Sequence, residues 1–261
     1  MTSRKKISLL VAQLNAIGSR PSNEDSLAVG DQDDLACFVI SDGTGGHAAG
    51  EVASRLVAQE VIDRFMLEAS FGTRALRSYI DSASAKVALN KRLHREQQDM
   101  SATVAALLID QKNSRCVWGH MGDTRLYLFR NHKISAMTKD HSLAQRFIEA
   151  GFGTQVELRM HPQRSMLFAA IGADGGIQPD ITVSPVELHP GDAFLICSDG
   201  FWEWVREPEM ELCLADAGSV QDWLDAMNSL AELHVQAANK LRDNFSAIAL
   251  WVGEPVKSDN E

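Results

Sequence analysis

Two stretches far apart in this chain end in the same way. Phe38-Val-Ile-Ser-Asp42-Gly43 and Phe194-Leu-Ile-Cys-Ser-Asp199-Gly200 each run a short apolar block into an aspartate followed by glycine. A block this short, closed by a glycine turn, suits a strand buried in a sheet better than a helix. The aspartate at its end is held at a fixed point, and the glycine beside it leaves a backbone carbonyl open to approach. Two more aspartates fit the scheme: Asp123 follows an apolar strand ending in Met121-Gly122, and Asp243 immediately precedes a closing strand at 245–252. A fold that brings these strand ends to one edge gathers four carboxylates, which repel one another and raise one another's pKa unless a cation intervenes. Neither a His pair nor a Cys pair at ligand spacing accompanies them. Oxygen-only ligation therefore favours Mg²⁺, Mn²⁺ or Ca²⁺ over zinc, and residues 42–47 lack the alternating oxygen donors of an EF-hand loop. Any one Asp-Gly pair is also an ordinary turn. Four at matched strand ends point to a metal centre.

The rest of the pattern supplies the frame. Apolar residues at 53, 57, 61 and 65, then at 76, 80, 83 and 87, recur at helical spacing and predict two long amphipathic helices. Runs at 103–109, 116–121 and 126–129, with turns at 110–114 and 131–132, predict an antiparallel meander. A short helix is expected over 143–150, stopped by Gly151, then an irregular flap, strands at 166–171, 181–186 and 193–198, and a helix containing Trp223, Met227 and Leu230. Asp192 belongs to the turn before the strand that starts at Ala193. Strands and helices come in blocks, so sheets sandwiched by helix pairs are expected. We expect one domain over residues 1–253 and a short polar tail at 254–261.

Composition excludes several function classes. Lys+Arg 25 against Asp+Glu 35 gives 25 − 35 = −10 over 261 residues, a balance that repels nucleic acid and anionic membranes. The longest apolar runs, 35–40 and 102–109, fall far short of the ~20 residues that cross a bilayer. Arg4-Lys5-Lys6 before an apolar stretch has the look of a leader, but Gln13 and Asn15 interrupt it, and a first strand is the better reading. The cysteines at 37, 116, 197 and 213 are scattered, as buried thiols of a cytoplasmic protein would be. The segment Gly43-Thr-Gly-Gly-His47 lacks the Lys and Ser/Thr of a phosphate-binding P-loop, and a tight turn at a metal explains its glycines as well. His47 opens the following helix and is a candidate proton donor to a leaving alkoxide, a helix cap being the alternative.

Taken in order, these motifs resemble the metal-dependent protein phosphatases, the type 2C Ser/Thr phosphatases, in their compact bacterial form. The resemblance rests on Gly18-Ser-Arg20-Pro-Ser-Asn-Glu24-Asp25-Ser, Ser41-Asp42-Gly-Thr-Gly-Gly-His47-Ala-Ala-Gly-Glu51 and Met100-Ser-Ala-Thr103 in the first half. It continues through Gly122-Asp123-Thr-Arg125-Leu-Tyr127, Thr138-Lys-Asp140-His141-Ser142, Cys197-Ser-Asp199-Gly200 and Asp243-Asn244-Phe-Ser246. It implies an α+β fold, a four-layer αββα sandwich of two antiparallel sheets flanked by helix pairs, with two Mn²⁺ or Mg²⁺ ions at one end. It further implies that Asp42 serves both ions, that Asp199 and Asp243 complete the first site, that the Gly43 carbonyl serves the second, and that Glu24 and Asp25 act through water. Asp123 with Asp199 would hold a third, weaker ion, and Arg20 would bind the phosphate. The implied partners are a phosphorylated Ser/Thr protein and a cognate kinase, acted on by a monomer.

Two departures from the family pattern stand out: Thr44 after Gly43, and Phe168-Ala-Ala-Ile-Gly172 without a polar pair. Both bear on substrate contacts rather than on the proposed ligands. The flap at 147–164 is the expected place for substrate selection. A catalytically weak regulatory module and a hydrolase of small phosphoesters are the competing readings.

Overall fold

A computed structural model describes residues 6–44, 47–159 and 161–253, with backbone alone at 47, 48, 155 and 156. The expected polar tail at 254–261 therefore lies outside the described residues. The strands are β1 (Leu9–Ala16), β2 (Asp25–Gln32), β3 (Leu35–Thr44), β4 (Ser101–Ala102), β5 (Val104–Asp110), β6 (Arg115–Met121), β7 (Arg125–Arg130), β8 (Lys133–Met137), β9 (Asp180–Ile181), β10 (Val186–Glu187), β11 (Ala193–Cys197) and β12 (Phe245–Val252). The helices are α1 (His47–Glu68), α2 (Thr73–Leu93), α3 (Leu143–Glu149), α4 (Gln155–Leu158), α5 (Asp199–Trp202), α6 (Glu207–Asp216) and α7 (Val220–Ala238).

Two antiparallel sheets form the centre, one in the order β1-β12-β11-β7-β8 and the other β10-β6-β5-β3-β2. Helices α1 and α2 cover the second sheet, α6 and α7 the first, so the sandwich has the four layers expected. The apolar runs read as unbroken because their residues face two different cores in alternation. In β3, Phe38 and Ile40 meet Phe194, Ile196 and Leu250 between the sheets. Cys37 and Val39, one step out of phase, pack under Val57, Val61 and Phe65 of α1. In β12, Ala247, Ala249 and Trp251 face Trp223 and Met227 of α7. All eight apolar positions predicted for the two long helices are buried. Ser219 caps α7, its hydroxyl accepting the Asp222 N–H at 3.1 Å.

Several expectations are corrected. The meander does not continue past β6: β5 and β6 pair in one sheet, whereas β7 and β8 belong to the other. The crossing occurs at Gly122, whose φ of +103° and missing Cβ let the chain turn against Thr103, where a side chain would collide. Residues 166–171 form no strand and make only isolated bridges, Ser142 with Leu167 and Ala102 with Ile171. The strand expected at 181–186 is two dipeptide strands, β9 and β10, separated by a segment containing Pro185, which has no N–H for a ladder. Residues 25–32, to which the pattern assigned nothing, form β2, with Gly30 and the two acidic side chains at 25 and 31 masking the alternation. Helix α6 was missed as well, although Pro208 in its first turn, with Glu207 and Glu209 around it, is a start signal.

Candidate metal centre

The sheet order decides where the aspartates meet. β3 ends at one edge of the sandwich and carries Asp42, paired in register with Asp25 of β2. β11 ends at the same edge, its chain passing into Asp199 as the first residue of α5, while Asp243 enters β12 beside it. Asp123 lies in the sheet-to-sheet crossing after Gly122. Together with Glu24, Gly43 and Arg20, these four aspartates line one pocket of about 200 Å³, which Thr44, Ser165, Leu167 and Asn244 complete. Every residue proposed as a direct ligand or phosphate contact is therefore brought together. Asp25 sits one step back: Ser198 donates its hydroxyl to Asp25 Oδ2 at 2.7 Å, and Asp25 Oδ1 is buried with no hydrogen-bond partner among the described residues. The His47 side chain is outside the described residues; its backbone starts α1.

Backbone hydrogen bonds fix the site from below. Thr103 grips Asp42 at both ends of its peptide unit: Asp42 N–H donates to Thr103 Oγ1 at 2.9 Å, and Thr103 N–H donates to the Asp42 carbonyl at 2.8 Å. Asn244 ties the 17–24 loop to the cluster, donating to the carbonyls of Ile17 (2.8 Å) and Ser22 (2.9 Å) while its Oδ1 accepts the Glu24 N–H at 2.9 Å. His141 holds the Gly122-Asp123 turn, donating its N–H to the Gly122 carbonyl at 2.9 Å and accepting the Gly122 N–H on Nδ1 at 3.2 Å. Neither Asn244 nor His141 was given a role from sequence, although both stand inside quoted motifs. Gly43 is required because a side chain there would collide with the Gly50 carbonyl in the first turns of α1.

The electrostatics match crowded, unneutralised carboxylates. Burial, with Asp199 and Asp243 nearby, pushes Asp25 up to about 7. Burial and the charges of Asp243 and Glu203 push Asp199 up to about 6. Asp42 and Asp123 are also raised, through burial first and then their neighbours' charges. Arg20 forms an ion pair with Asp243 across the pocket mouth, which raises its own pKa. A set of oxygen donors held high in pKa by mutual repulsion, with one buried carboxylate oxygen unpartnered, is chemically suited to hard divalent cations.

The αββα sandwich thus carries at one edge an oxygen-lined acidic pocket with an arginine beside it, a donor set suited to a hard divalent cation and to an anion. A protein-family model described as protein phosphatase 2C matches residues 15–246. The serine/threonine phosphatase stp of Listeria monocytogenes is 30% identical over 212 residues, covering 79% of this chain and 82% of that protein. The chain belongs to the protein phosphatase 2C family, the type 2C Ser/Thr phosphatases, and is an enzyme of that class. The catalytic domain of the serine/threonine protein phosphatase PstP, solved in complex with 2 manganese ions, is 25% identical with a TM-score of 0.80, over 96% of this chain and 100% of that one. Stp1 from Staphylococcus aureus is 26% identical with a TM-score of 0.80, over 95% and 96% of the two chains. Among the described residues, no helix is long and apolar enough to cross a membrane.

Proposed function

We propose that the enzyme hydrolyses phosphoserine and phosphothreonine monoesters on proteins, using two Mn²⁺ or Mg²⁺ ions held at the strand ends. The observation that carries this reading is the convergence of Asp42, Asp123, Asp199 and Asp243 on one pocket with Arg20 at its mouth. Asp42, Asp199, Asp243 and the Gly43 carbonyl would hold the two ions. Glu24 and Asp25 would support these ligands through water, and Asp123 with Asp199 would hold a weaker third ion. Bound there, the ions supply a water of lowered pKa and offset charge on the phosphoryl oxygens.

The chain's own groups do the rest. The Arg20 guanidinium, with five donors in a planar fork, suits two phosphate oxygens at once, and its pairing with Asp243 keeps it at the pocket mouth until substrate arrives. His47, placed by sequence at the start of α1, is assigned to deliver a proton to the seryl or threonyl oxygen as the ester bond breaks. Residues 147–164 select among phosphoproteins, and residues 1–253 act as one catalytic domain. A cytoplasmic monomer opposing a Ser/Thr kinase fits the acidic balance and the free cysteines.

Hydrolysis of p-nitrophenyl phosphate and of a phosphothreonine peptide, with Mn²⁺, Mg²⁺ or EDTA, tests the proposal beside Asp199→Asn. Peptide turnover that needs metal and is lost in the variant is expected. A folded protein that binds Mn²⁺ but turns over neither substrate would make the chain a regulatory phosphoprotein binder.

A further inference from the structure

The flap and the Asp123 turn are joined through one indole ring. Trp202, 1% exposed, donates its Nε1–H to the backbone carbonyl of Asp123 at 2.8 Å. Two guanidinium groups lie against its ring: Arg125 at 3.6 Å from the centroid and Arg159 at 5.4 Å. They differ in what holds them. Arg125 is buried and fixed by a bidentate pair with Asp140 at 2.8 and 2.7 Å. Arg159 stands at the end of α4 in the flap and reaches Glu207 of α6 at 2.7 Å, where Arg125 also makes a longer contact at 3.4 Å. Next to it Leu158 enters the core beneath the first sheet. The flap is seated by Leu158 and Ile148 on the core, by Arg164 on Glu203 and by Arg159 on Glu207, and of the two cations Arg159 is the one that rests on the ring whose other edge holds Asp123.

We propose that Trp202 is a positioning residue that couples the seating of the flap to the placement of Asp123. A desolvated guanidinium over an indole face is among the stronger cation–π arrangements. A buried amide carbonyl that loses its donor has no water to replace it. Seating Arg159 holds the indole at the angle that fixes the Asp123 carbonyl; releasing Arg159 frees the ring and, with it, the turn that carries the Asp123 carboxyl into the pocket. Substrate contacts on the flap thereby alter how the Asp123 side of the pocket holds a cation. The effect on cation binding rests on the reading of Asp123 as a ligand; the mechanical link does not.

The test uses the full chain and separates the two. Hydrogen exchange is measured without metal on Arg159→Met, Trp202→Phe and the double variant, following peptides at 119–126 and 152–160. Arg159→Met, whose side chain reaches the 119–126 stretch through Trp202 and through the Glu207 it shares with Arg125, is expected to speed exchange at 119–126, and in the Trp202→Phe background it adds nothing there, whereas a route through Glu207 would still add. Mn²⁺ calorimetry is the second readout: the component lost in Asp123→Asn should weaken about fivefold or more in either single variant. Faster exchange at 152–160 with 119–126 unchanged in Arg159→Met overturns the link, as do additive effects in the double variant. Should Trp202→Phe fold poorly, the Arg159→Met exchange pattern still decides. Coupled exchange with Mn²⁺ binding indifferent to Asp123→Asn upholds the link and overturns the ligand assignment alone.

Discussion

Removing Asp199's charge should stabilise the metal-free protein and destabilise the metal-loaded one. Asp199 rises from an ordinary 3.8 to about 6 in the folded chain, through burial and then through Asp243 and Glu203. The folded state thus binds more protons than the unfolded state between those values, so metal-free stability falls as pH rises through that window and stays low above it. A shift of about two units is worth about 3 kcal/mol. Because Asp199 lines an open pocket, solvent screening leaves about 1–2 kcal/mol. Asp199→Asn keeps the shape and drops the charge, so its metal-free Tm at about pH 7.5 should exceed wild type by roughly 3–6 °C for a chain of this size. At about pH 5, inside that window, the gap should shrink to about half, and it should close only below about pH 4, where the unfolded carboxyl is protonated as well. Excess Mn²⁺, at ~100 times its Kd, adds about 2.7 kcal/mol to wild type and far less to the variant, so the order reverses. Melting both proteins by fluorescence at two pH values, with EDTA and with Mn²⁺, is sufficient. A metal-free variant that melts at or below wild type near pH 7.5, or a gap unchanged at pH 5, would refute the argument from carboxylate repulsion.

Three further outcomes follow from the same geometry. Mn²⁺ must displace protons from carboxyls raised to about 6 and about 7; affinity should fall as pH drops through that range, and calorimetry in two buffers of different ionisation enthalpy should detect proton release that fades toward about pH 8. Thr103→Val leaves the buried Asp42 N–H and the Thr124 hydroxyl without a shared partner, costing about 1–3 kcal/mol in urea unfolding; Thr103→Ser should recover most of it, and equal stability of Val and Thr would discredit the grip on Asp42. Asn244→Ala frees the 17–24 loop by deleting three hydrogen bonds, and should lower kcat/KM on p-nitrophenyl phosphate about tenfold while hydrogen exchange rises at 17–24; protection unchanged there would count against the tether.

How much of this was legible differed from element to element for physical reasons. The helices around Val57 and Ile80 were readable because each buries a single face, so their period survives in the sequence. The strands β3 and β11 were readable as buried runs, but the core each residue faces was not, since both faces are apolar. β2 carries Asp25, Asp31 and Gly30 for reasons of site and edge, and its strand signal was hidden by them. The break in the meander at Gly122 was invisible because a glycine in a turn and a glycine at a sheet crossing leave the same trace. Asp42, Asp123, Asp199 and Asp243, which the fold gathers at one pocket, could be singled out because strand ends are local features. Their supports, Thr103, Asn244, His141 and Trp202, act through contacts that no local pattern records.

The sequence by itself determined the chemistry available: carboxylates at the ends of apolar strands, an arginine in a polar loop, an acidic surface and no helix-length apolar span. These are properties of short windows and of composition, set before the chain folds. Tertiary structure alone decided that the strand ends share one edge, that Asp25 stands behind the pocket rather than in it, and that Arg20 pairs with Asp243. It also decided the pKa values, because burial and the proximity of like charges arise only when residues more than two hundred positions apart, such as Asp25 and Asp243, are packed within reach of one another.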